Sequence, residues 1–188
     1  MGQEALLPEM QSADDIVALI ERHPDMMRLL HAVEALNLRD CWIGAGFVRN
    51  AAWDVLHDRR IDCGALSDID VVYFDRADAR PVRDRAIEAE LAARISLVPW
   101  SVKNQARMHE RNGVAPYLDM ADAIARWPET ATAVAARLFN GRVELLAPHG
   151  VGDLRPTPAF RERRNEIARR VAAKRWRARW PKLTLAQA

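Results

Sequence analysis

Asp68 and Asp70 are the residues of this sequence whose types and spacing best suit chemistry; they stand in the stretch 67–73, SDIDVVY. Side chains alternate between faces along a strand, so the two carboxylates are expected to project to the same side. Two carboxylates this close repel unless a cation neutralises them, and hard oxygen ligands suit Mg²⁺ or Mn²⁺. The spacing therefore predicts a divalent metal site. The alternative is a pair of loop aspartates that simply precede a strand.

A glycine turn lies upstream of this pair, in the stretch 43–50, IGAGFVRN. Gly44 and Gly46 stand between a short apolar run and a helical pattern, where backbone N–H groups can approach a phosphate. Arg49 falls near the first turn of that helix, and its guanidinium can bond phosphate oxygens. The turn therefore predicts a phosphate site. The alternative is a tight turn followed by a surface arginine.

A second polar stretch follows the next predicted strand. Lys103 and Asn104 come first, with Gln105 and Arg107 behind them. Their donors suit phosphate oxygens or the edges of a base. The equally weighted alternative is the polar start of a helix.

A few strands among many helices predict an α+β fold, close to α/β, in one domain over 1–188. The chain is expected to begin with a helical pair (1–38) and to end with a basic helix (159–182). Strands are expected at 40–43, 69–74, 95–102 and 142–146. Further helices are expected at 47–56, 81–92, 104–111, 119–127 and 129–138.

Composition limits the function classes. The chain has 188 residues, 49% of them hydrophobic, which is enough for a core. It has no apolar run of the ~18 residues that span a membrane, and its acidic N-terminus does not resemble a secretory signal. Two cysteines and five scattered histidines do not predict zinc or a disulfide framework. We therefore expect a cytoplasmic protein without a membrane partner.

The charge is unevenly distributed. Residues 155–182 hold eleven Lys or Arg and two Glu, a balance of +9, so the net charge of +2 leaves −7 for the remainder. Trp176 and Trp180 lie among these basic residues, a pattern typical of nucleic-acid binding. In the alternative, slightly favoured, the tryptophans pack on the body and the arginines offset its acidity.

Taken together, the glycine turn, Arg49 and the aspartate pair resemble the DNA polymerase β-like nucleotidyltransferase superfamily. The stretch 46–50 is also similar to the G-x-V-R-D signature of tRNA CCA-adding enzymes, with Asn50 in place of the aspartate. A small bacterial nucleotidyltransferase-like family gives a longer match. Its shared words are GAGFVRN, SDIDVVYFD, PWSVKNQARMH, WPETATAV and APHGVGDL, from Trp42 to Leu154.

This resemblance implies a small mixed sheet flanked by helices. It also implies that Asp68 and Asp70 hold Mg²⁺ or Mn²⁺ and that Gly44, Gly46 and Arg49 hold the triphosphate. Lys103 and Asn104 are expected, from their donors, to be further nucleotide ligands. The superfamily usually adds a third carboxylate from a later strand. The matching position holds Ser101, which is no carboxylate base.

The resulting hypothesis is a metal-dependent nucleotidyltransferase that uses a nucleoside triphosphate. Its acceptor hydroxyl would belong to an RNA end, a protein or a small molecule, and the basic C-terminal helix would offer a nucleic-acid surface. Ser101 motivates the alternative, a non-catalytic nucleotide- or nucleic-acid-binding protein on the same fold. A third hypothesis is an interaction module without nucleotide affinity. Asp75 and Glu110 are candidates to replace the missing carboxylate.

Overall fold

A five-stranded mixed sheet forms the centre of the protein, in a computed structural model that describes residues 12–154 and 172–183. The strands run in the order β3-β2-β1-β4-β5. Only β2 and β3 are parallel; the other neighbouring pairs are antiparallel. The strand bounds are β1 Cys41–Gly44, β2 Ile69–Tyr73, β3 Trp100–Asn104, β4 Ala135–Phe139 and β5 Arg142–Leu146.

Helices cover both faces of this sheet. Their bounds are α1 Ala13–Glu21, α2 Pro24–Glu34, α3 Gly46–Leu56, α4 Pro81–Arg94, α5 Met108–Asn112, α6 Met120–Ala125 and α7 Trp176–Arg179, with short 3₁₀ turns at Cys63–Ala65, Gln105–Arg107 and Gly152–Leu154. The predicted mixed α+β architecture is confirmed. Among the described residues, no helix is long and apolar enough to span a membrane.

Local sequence explains the ends of the first two helices. Ser12 caps α1 in a reciprocal arrangement with Asp15, whose carboxylate accepts from the Ser12 backbone N–H. Pro24 occupies the start of α2, where its missing N–H costs no hydrogen bond. Both helices bury their apolar sides in the main core, between the sheet and α1 to α4.

The opposite face of the sheet carries a smaller core. Trp42 and Val72 project from β1 and β2 against Met120 and Ile124 of α6, and Trp127 packs at its edge. Successive side chains of β2 point to opposite faces of the sheet, and Ile69 and Val71 lie on the side of the main core.

The prediction of a helix at 129–138 is wrong, because the second half of this stretch forms strand β4. Ala135 and Ala136 are both fully buried, since β4 lies between β1 and β5 and is covered on both faces. Such a position takes small residues regardless of their helix propensity. Asn140 and Gly141 have φ values of 51° and 72° and make the predicted tight turn into β5.

The predicted boundaries around β3 also shift. The apolar run at 95–102 contributes only its end, because Leu97 adopts φ 64° and turns the chain before Pro99. The helix expected at 104–111 begins later. Asn104 completes β3, a 3₁₀ turn follows, and α5 starts at Met108.

Residues 172–183, here called the C-terminal segment, pack on α3. Trp180 is buried and its Nε1 donates to Oδ1 of the buried Asp54 at 2.8 Å. The Trp176 and Trp180 rings lie edge-on to Trp53, at centroid distances of 5.3 and 5.1 Å. The two tryptophans therefore belong to the core, as the favoured alternative predicted.

The basic helix expected over 159–182 lies largely outside the described residues. Within the described part it is not continuous. Arg175 has a left-handed φ of 53°, and α7 spans only Trp176–Arg179 before Pro181. A left-handed residue ends a helix because its backbone cannot continue the hydrogen-bond ladder.

Trp180→Ala should lower the free energy of unfolding by about 3 kcal/mol, because it leaves a cavity and removes a donor from buried Asp54. Urea denaturation followed by circular dichroism measures this loss. Arg177→Ala, an exposed change in the same segment, should stay within about 0.5 kcal/mol of the parent. A loss below about 1 kcal/mol in Trp180→Ala would contradict this anchoring role.

Candidate active site

The two predicted carboxylates lie at the start of β2. Asp68 precedes the strand and Asp70 is its second residue, and both are partly exposed. The Ser67 hydroxyl donates to Asp68 Oδ1 at 2.7 Å. The site is therefore open to a ligand from solvent.

Strand register places Ser101 directly beside Asp70. The β2–β3 pairing is parallel and matches Asp70 with Ser101 and Val72 with Lys103. Registered neighbours project to the same face, so Ser101 and Lys103 share the face of Asp70. At the position where the superfamily usually carries its third carboxylate, this chain therefore has the neutral hydroxyl of Ser101.

The carboxyl of Asp70 has a raised pKa. Burial, then the charge of Asp68, raises the pKa of its carboxyl from 3.8 to about 6. The charges of Lys174, Arg49 and Lys103 act in the opposite direction, in that order. These five ionisable groups therefore form one electrostatic cluster, although they come from four separate parts of the chain.

The pairing of β1 with β2 places the glycine turn next to the aspartate pair. Ile43 pairs with Val71 in antiparallel β1 and β2, so Gly44 lies one position further, at the level of Asp70. Helix α3 begins at Gly46, and no side chain caps its N-terminus. Its first N–H groups therefore stand at the carboxylate end of β2, with the positive end of the helix dipole.

Gly44 and Gly46 differ in how much space the structure leaves for a side chain. A Cβ at Gly44 would lie 2.7 Å from Cη2 of Trp127, so Gly44 allows this ring to pack on β1. At Gly46 a Cβ would meet Nη2 of Arg49 at 3.5 Å, an ordinary contact. Between them, Ala45 holds φ 54° and ψ −118°, a conformation that strains a residue with a Cβ. The packing role of Gly44 is one that its sequence context did not indicate.

Arg49 is buried, with 5% of its surface exposed. Its Nη1 donates to Thr132 Oγ1 at 2.9 Å, and Nη2 and Nε donate to Asn50 Oδ1 at 2.8 and 3.1 Å. The guanidinium carbon lies 4.3 Å from the ring centroid of Trp176. The Arg49 guanidinium is therefore held by groups of the protein, and its positive charge also lowers the pKa of Asp70. Triphosphate binding by Arg49 stays a prediction.

Lys103 and Asn104 separate onto opposite faces of β3. Lys103 is partly exposed on the Asp70 face and donates its Nζ to the Val102 carbonyl at 2.8 Å. Asn104 is fully buried: its Nδ2 donates to the carbonyls of Asp75 and Asp78, and its Oδ1 accepts from Asp75 and Ala106. The predicted nucleotide contact by Asn104 is corrected here, because backbone groups occupy its amide.

A divalent metal fits the aspartate pair. Asp68 and Asp70 are two hard carboxylates whose mutual repulsion a cation would relieve. Mg²⁺ commonly takes one or two protein carboxylates and fills its remaining positions with water and phosphate oxygens. Over residues 12–154 and 172–183, no group of three or more Asp, Glu, His or Cys side chains is arranged to hold a metal.

The candidates for a replacement carboxylate do not join the pair. Asp75 lies beyond the other end of β2, where its Oδ2 accepts from Arg83 Nη1 at 2.7 Å. Glu110 is exposed on α5. Neither residue is among the charges that act on Asp70.

Sequence reasoning missed two contributors. The Thr132 hydroxyl accepts a hydrogen bond from the Arg49 guanidinium, and no sequence pattern singled out this threonine within the stretch 127–134. Lys174 acts on Asp70 more strongly than Arg49 or Lys103 does. It is one of eleven basic residues near the C-terminus, and only the packing of the segment distinguishes it.

The sheet order, the aspartate pair on β2 and the glycine turn into α3 define a polymerase β-like nucleotidyltransferase fold. Comparison with known proteins agrees. A family model described as "Nucleotidyltransferase" matches residues 31–185, and the chain belongs to that family. The chain is also similar to a solved structure described as an NMR structure that reveals a CCA-adding enzyme head domain. The identity is 30% with a TM-score of 0.81, over 97% of this chain and 100% of the other. A search of the curated proteins finds no match.

Asp70→Asn should stabilise the metal-free protein near pH 7.5, by up to about 3 kcal/mol. The pKa of Asp70 is raised to about 6 in the folded protein. Its contribution to stability is therefore complete below pH 3.8 and is lost as the pH rises through about 6. Asparagine mimics the protonated carboxyl, so the gain should vanish below about pH 4.

Urea denaturation in EDTA from pH 4 to 8 measures this difference. Asp14→Asn, which removes an exposed carboxylate from α1, is the matched control and should show no such pH dependence. An Asp70→Asn protein that is no more stable than the parent at pH 7.5 would show that burial and the charge of Asp68 do not destabilise the ionised Asp70 carboxylate.

Proposed function

We propose that this chain is a metal-dependent nucleotidyltransferase that moves a nucleotidyl group from a nucleoside triphosphate to an acceptor hydroxyl. Membership of the nucleotidyltransferase family supports nucleotidyl transfer in general. The observation that carries the finer proposal is the position of Asp68 and Asp70, paired on one sheet face beside the uncapped start of α3.

The reaction exchanges a phosphoanhydride bond of the triphosphate for a phosphoester bond to the acceptor. The acceptor oxygen forms a bond to the α-phosphorus, and the bond from this phosphorus to the bridging oxygen of the β-phosphate breaks. Pyrophosphate leaves, and the hydroxyl proton passes to solvent. Such transfer needs positioning of the reactants and stabilisation of charge on the phosphate oxygens more than it needs covalent chemistry.

The chain's own residues supply these needs as follows. Asp68 and Asp70 would hold Mg²⁺ or Mn²⁺, which when bound supplies Lewis-acid stabilisation of phosphate oxygens. The backbone N–H groups that open α3 at Gly46 bind phosphate oxygens at the positive end of the helix. Lys103 and the buried Arg49 add positive charge close to Asp70. Ser101 offers a hydroxyl beside Asp70 and no base.

An RNA end is the first acceptor class to examine, because the similar solved structure is described as a CCA-adding enzyme head domain. Protein and small-molecule hydroxyls are the other two. The basic residues at 155–171 lie outside the described residues, so a role for them in holding nucleic acid is proposed from their charge alone.

Each of the four nucleotides, labelled at the α-phosphate, should be incubated with the protein, Mg²⁺ and each acceptor class in turn. We expect label to enter one class and EDTA to abolish the transfer. Asp70→Asn should reduce it at least about a hundredfold, because the variant loses a metal ligand. Asp14→Asn should retain full transfer. The absence of both transfer and metal-dependent triphosphate binding would refute the proposal.

The second candidate function is nucleotide binding without turnover. Ser101 favours it, because the register places a hydroxyl where a third metal carboxylate would stand beside Asp70. In this case triphosphate binding would persist in the parent protein while transfer would be absent.

Ser101→Asp should tighten Mn²⁺ binding by at least about tenfold, because it adds a third carboxylate to the pair. Calorimetric titration measures the affinity, with Ser101→Asn as a control of similar size without charge. Transfer that appears only in Ser101→Asp would establish the non-catalytic function for the parent chain. Equal Mn²⁺ affinity in the two variants would show that residue 101 does not point into a metal site.

A further inference from the structure

Small residues flank Asp70 on the two neighbouring strands. Ile43 of β1 pairs with Val71 of β2, so Gly44 stands opposite Asp70 on one side. The parallel register of β2 and β3 places Ser101 on the other side. Directly paired residues project to the same face of a sheet, so the side-chain space of Gly44 adjoins that of Asp70.

The indole of Trp127 fills the space that Gly44 leaves without a side chain. A Cβ at Gly44 would lie 2.7 Å from Cη2 and 3.1 Å from Cζ3 of Trp127, two atoms of its six-membered ring. Cβ atoms of opposite residues on antiparallel strands lie about 4.5–5.5 Å apart, which puts Cη2 within about 8 Å of the Asp70 Cβ. The ring is therefore a neighbour of the candidate metal ligand.

Trp127 is held in this position from its other sides. Its backbone N–H donates to the Ile124 carbonyl at 3.0 Å, just beyond the end of α6, and Pro128 follows it. Its Nε1 donates to Oε1 of the buried Gln105 in a long hydrogen bond of 3.4 Å. The polar edge of the indole thus faces the interior, and the six-membered ring faces Gly44.

Exposure changes along this face of the sheet. Trp42 and Val72, one level further along β1 and β2, are at most 6% exposed beneath α6. At the level of the aspartate pair, Trp127, Asp70 and Ser101 are each partly exposed. A ligand that reaches Asp70 from solvent can therefore also contact the Trp127 ring, which offers a fixed aromatic surface.

We propose that the base of the nucleoside triphosphate stacks on Trp127, which makes this tryptophan a nucleoside-binding residue of the active site. The inference rests on the proposed function, in which Asp68 and Asp70 hold a metal at the α-phosphate. The other phosphates lie at the start of α3, and the nucleoside extends from the α-phosphate over Gly44 to the ring. Every base has a π-face, so this contact favours no particular base.

The test is calorimetric titration in Mg²⁺ with the α,β-methylene triphosphates of all four bases and with inorganic triphosphate. Trp127→Leu should weaken the binding of every nucleotide by roughly tenfold and leave inorganic triphosphate within about twofold, because inorganic triphosphate has no base. Trp127→Phe keeps an aromatic ring and should retain most of the affinity. Phe139→Leu removes an exposed ring from the far end of β4 and should leave all affinities unchanged.

Tryptophan fluorescence gives a second measurement, which does not depend on the folding of Trp127→Leu. Nucleotide should quench part of the parent's emission, because a base stacked on an indole quenches it. Most of this quenching should be lost in Trp127→Phe, although this variant still binds nucleotide. Equal quenching in the parent and in Trp127→Phe would overturn the inference.

The titrations separate the inference from the function on which it rests. Unchanged nucleotide affinity in Trp127→Leu, or equal loss for nucleotides and inorganic triphosphate, would show that the ring only packs in the core and would overturn the inference. A parent that binds inorganic triphosphate as tightly as nucleotides would also overturn it, while phosphate recognition would stand. A parent that binds neither would refute the proposed function, and the inference with it.

Discussion

The ionisation of Asp70 on a partly buried strand face beside Asp68 is the constraint on which the candidate site depends. Burial, and then the charge of Asp68, raises the free energy of the ionised Asp70 carboxylate. Arg49, Lys103 and Lys174 partly offset this cost, and the pKa of Asp70 nonetheless remains at about 6. The cations within the chain do not fully compensate the pair. A further cation that binds both carboxylates would therefore be stabilised, and this preference is what a metal-dependent site requires.

The fold brings these charges together by two independent means. Strand register places Lys103 on the Asp70 face, because β2 and β3 are parallel neighbours. Side-chain anchoring brings Lys174 close enough for its charge to lower the pKa of Asp70, because Trp176 and Trp180 are buried against α3 and Asp54 accepts the Trp180 N–H. Asp54 is itself 1% exposed and is also paired with Arg179. The integrity of the C-terminal segment and the electrostatics of the site are therefore coupled.

The sequence predicts those parts of the site that depend on local pattern. The β-rich apolar run at 69–74 predicts strand β2, and Asn140-Gly141 predicts the hairpin turn. It failed where tertiary position overrides propensity, as for the alanines of β4, which are central in the sheet. Asn104 was misassigned because a polar residue at a strand end looks the same whether it bonds a ligand or the backbone. Lys174 could not be distinguished from its basic neighbours, since its position follows from the packing of Trp176 and Trp180 on Trp53 of α3.

Residue 101 distinguishes the two proposed functions. In the parallel register of β2 and β3, Ser101 stands beside Asp70, at the position where the superfamily usually carries a third carboxylate. A hydroxyl adds no negative charge there, so under the proposed function Asp68 and Asp70 alone bind the metal as charged ligands. Mg²⁺ commonly uses one or two protein carboxylates together with water and substrate phosphates. Triphosphate binding is therefore compatible with Ser101, and turnover depends on whether two carboxylates hold the metal at the α-phosphate.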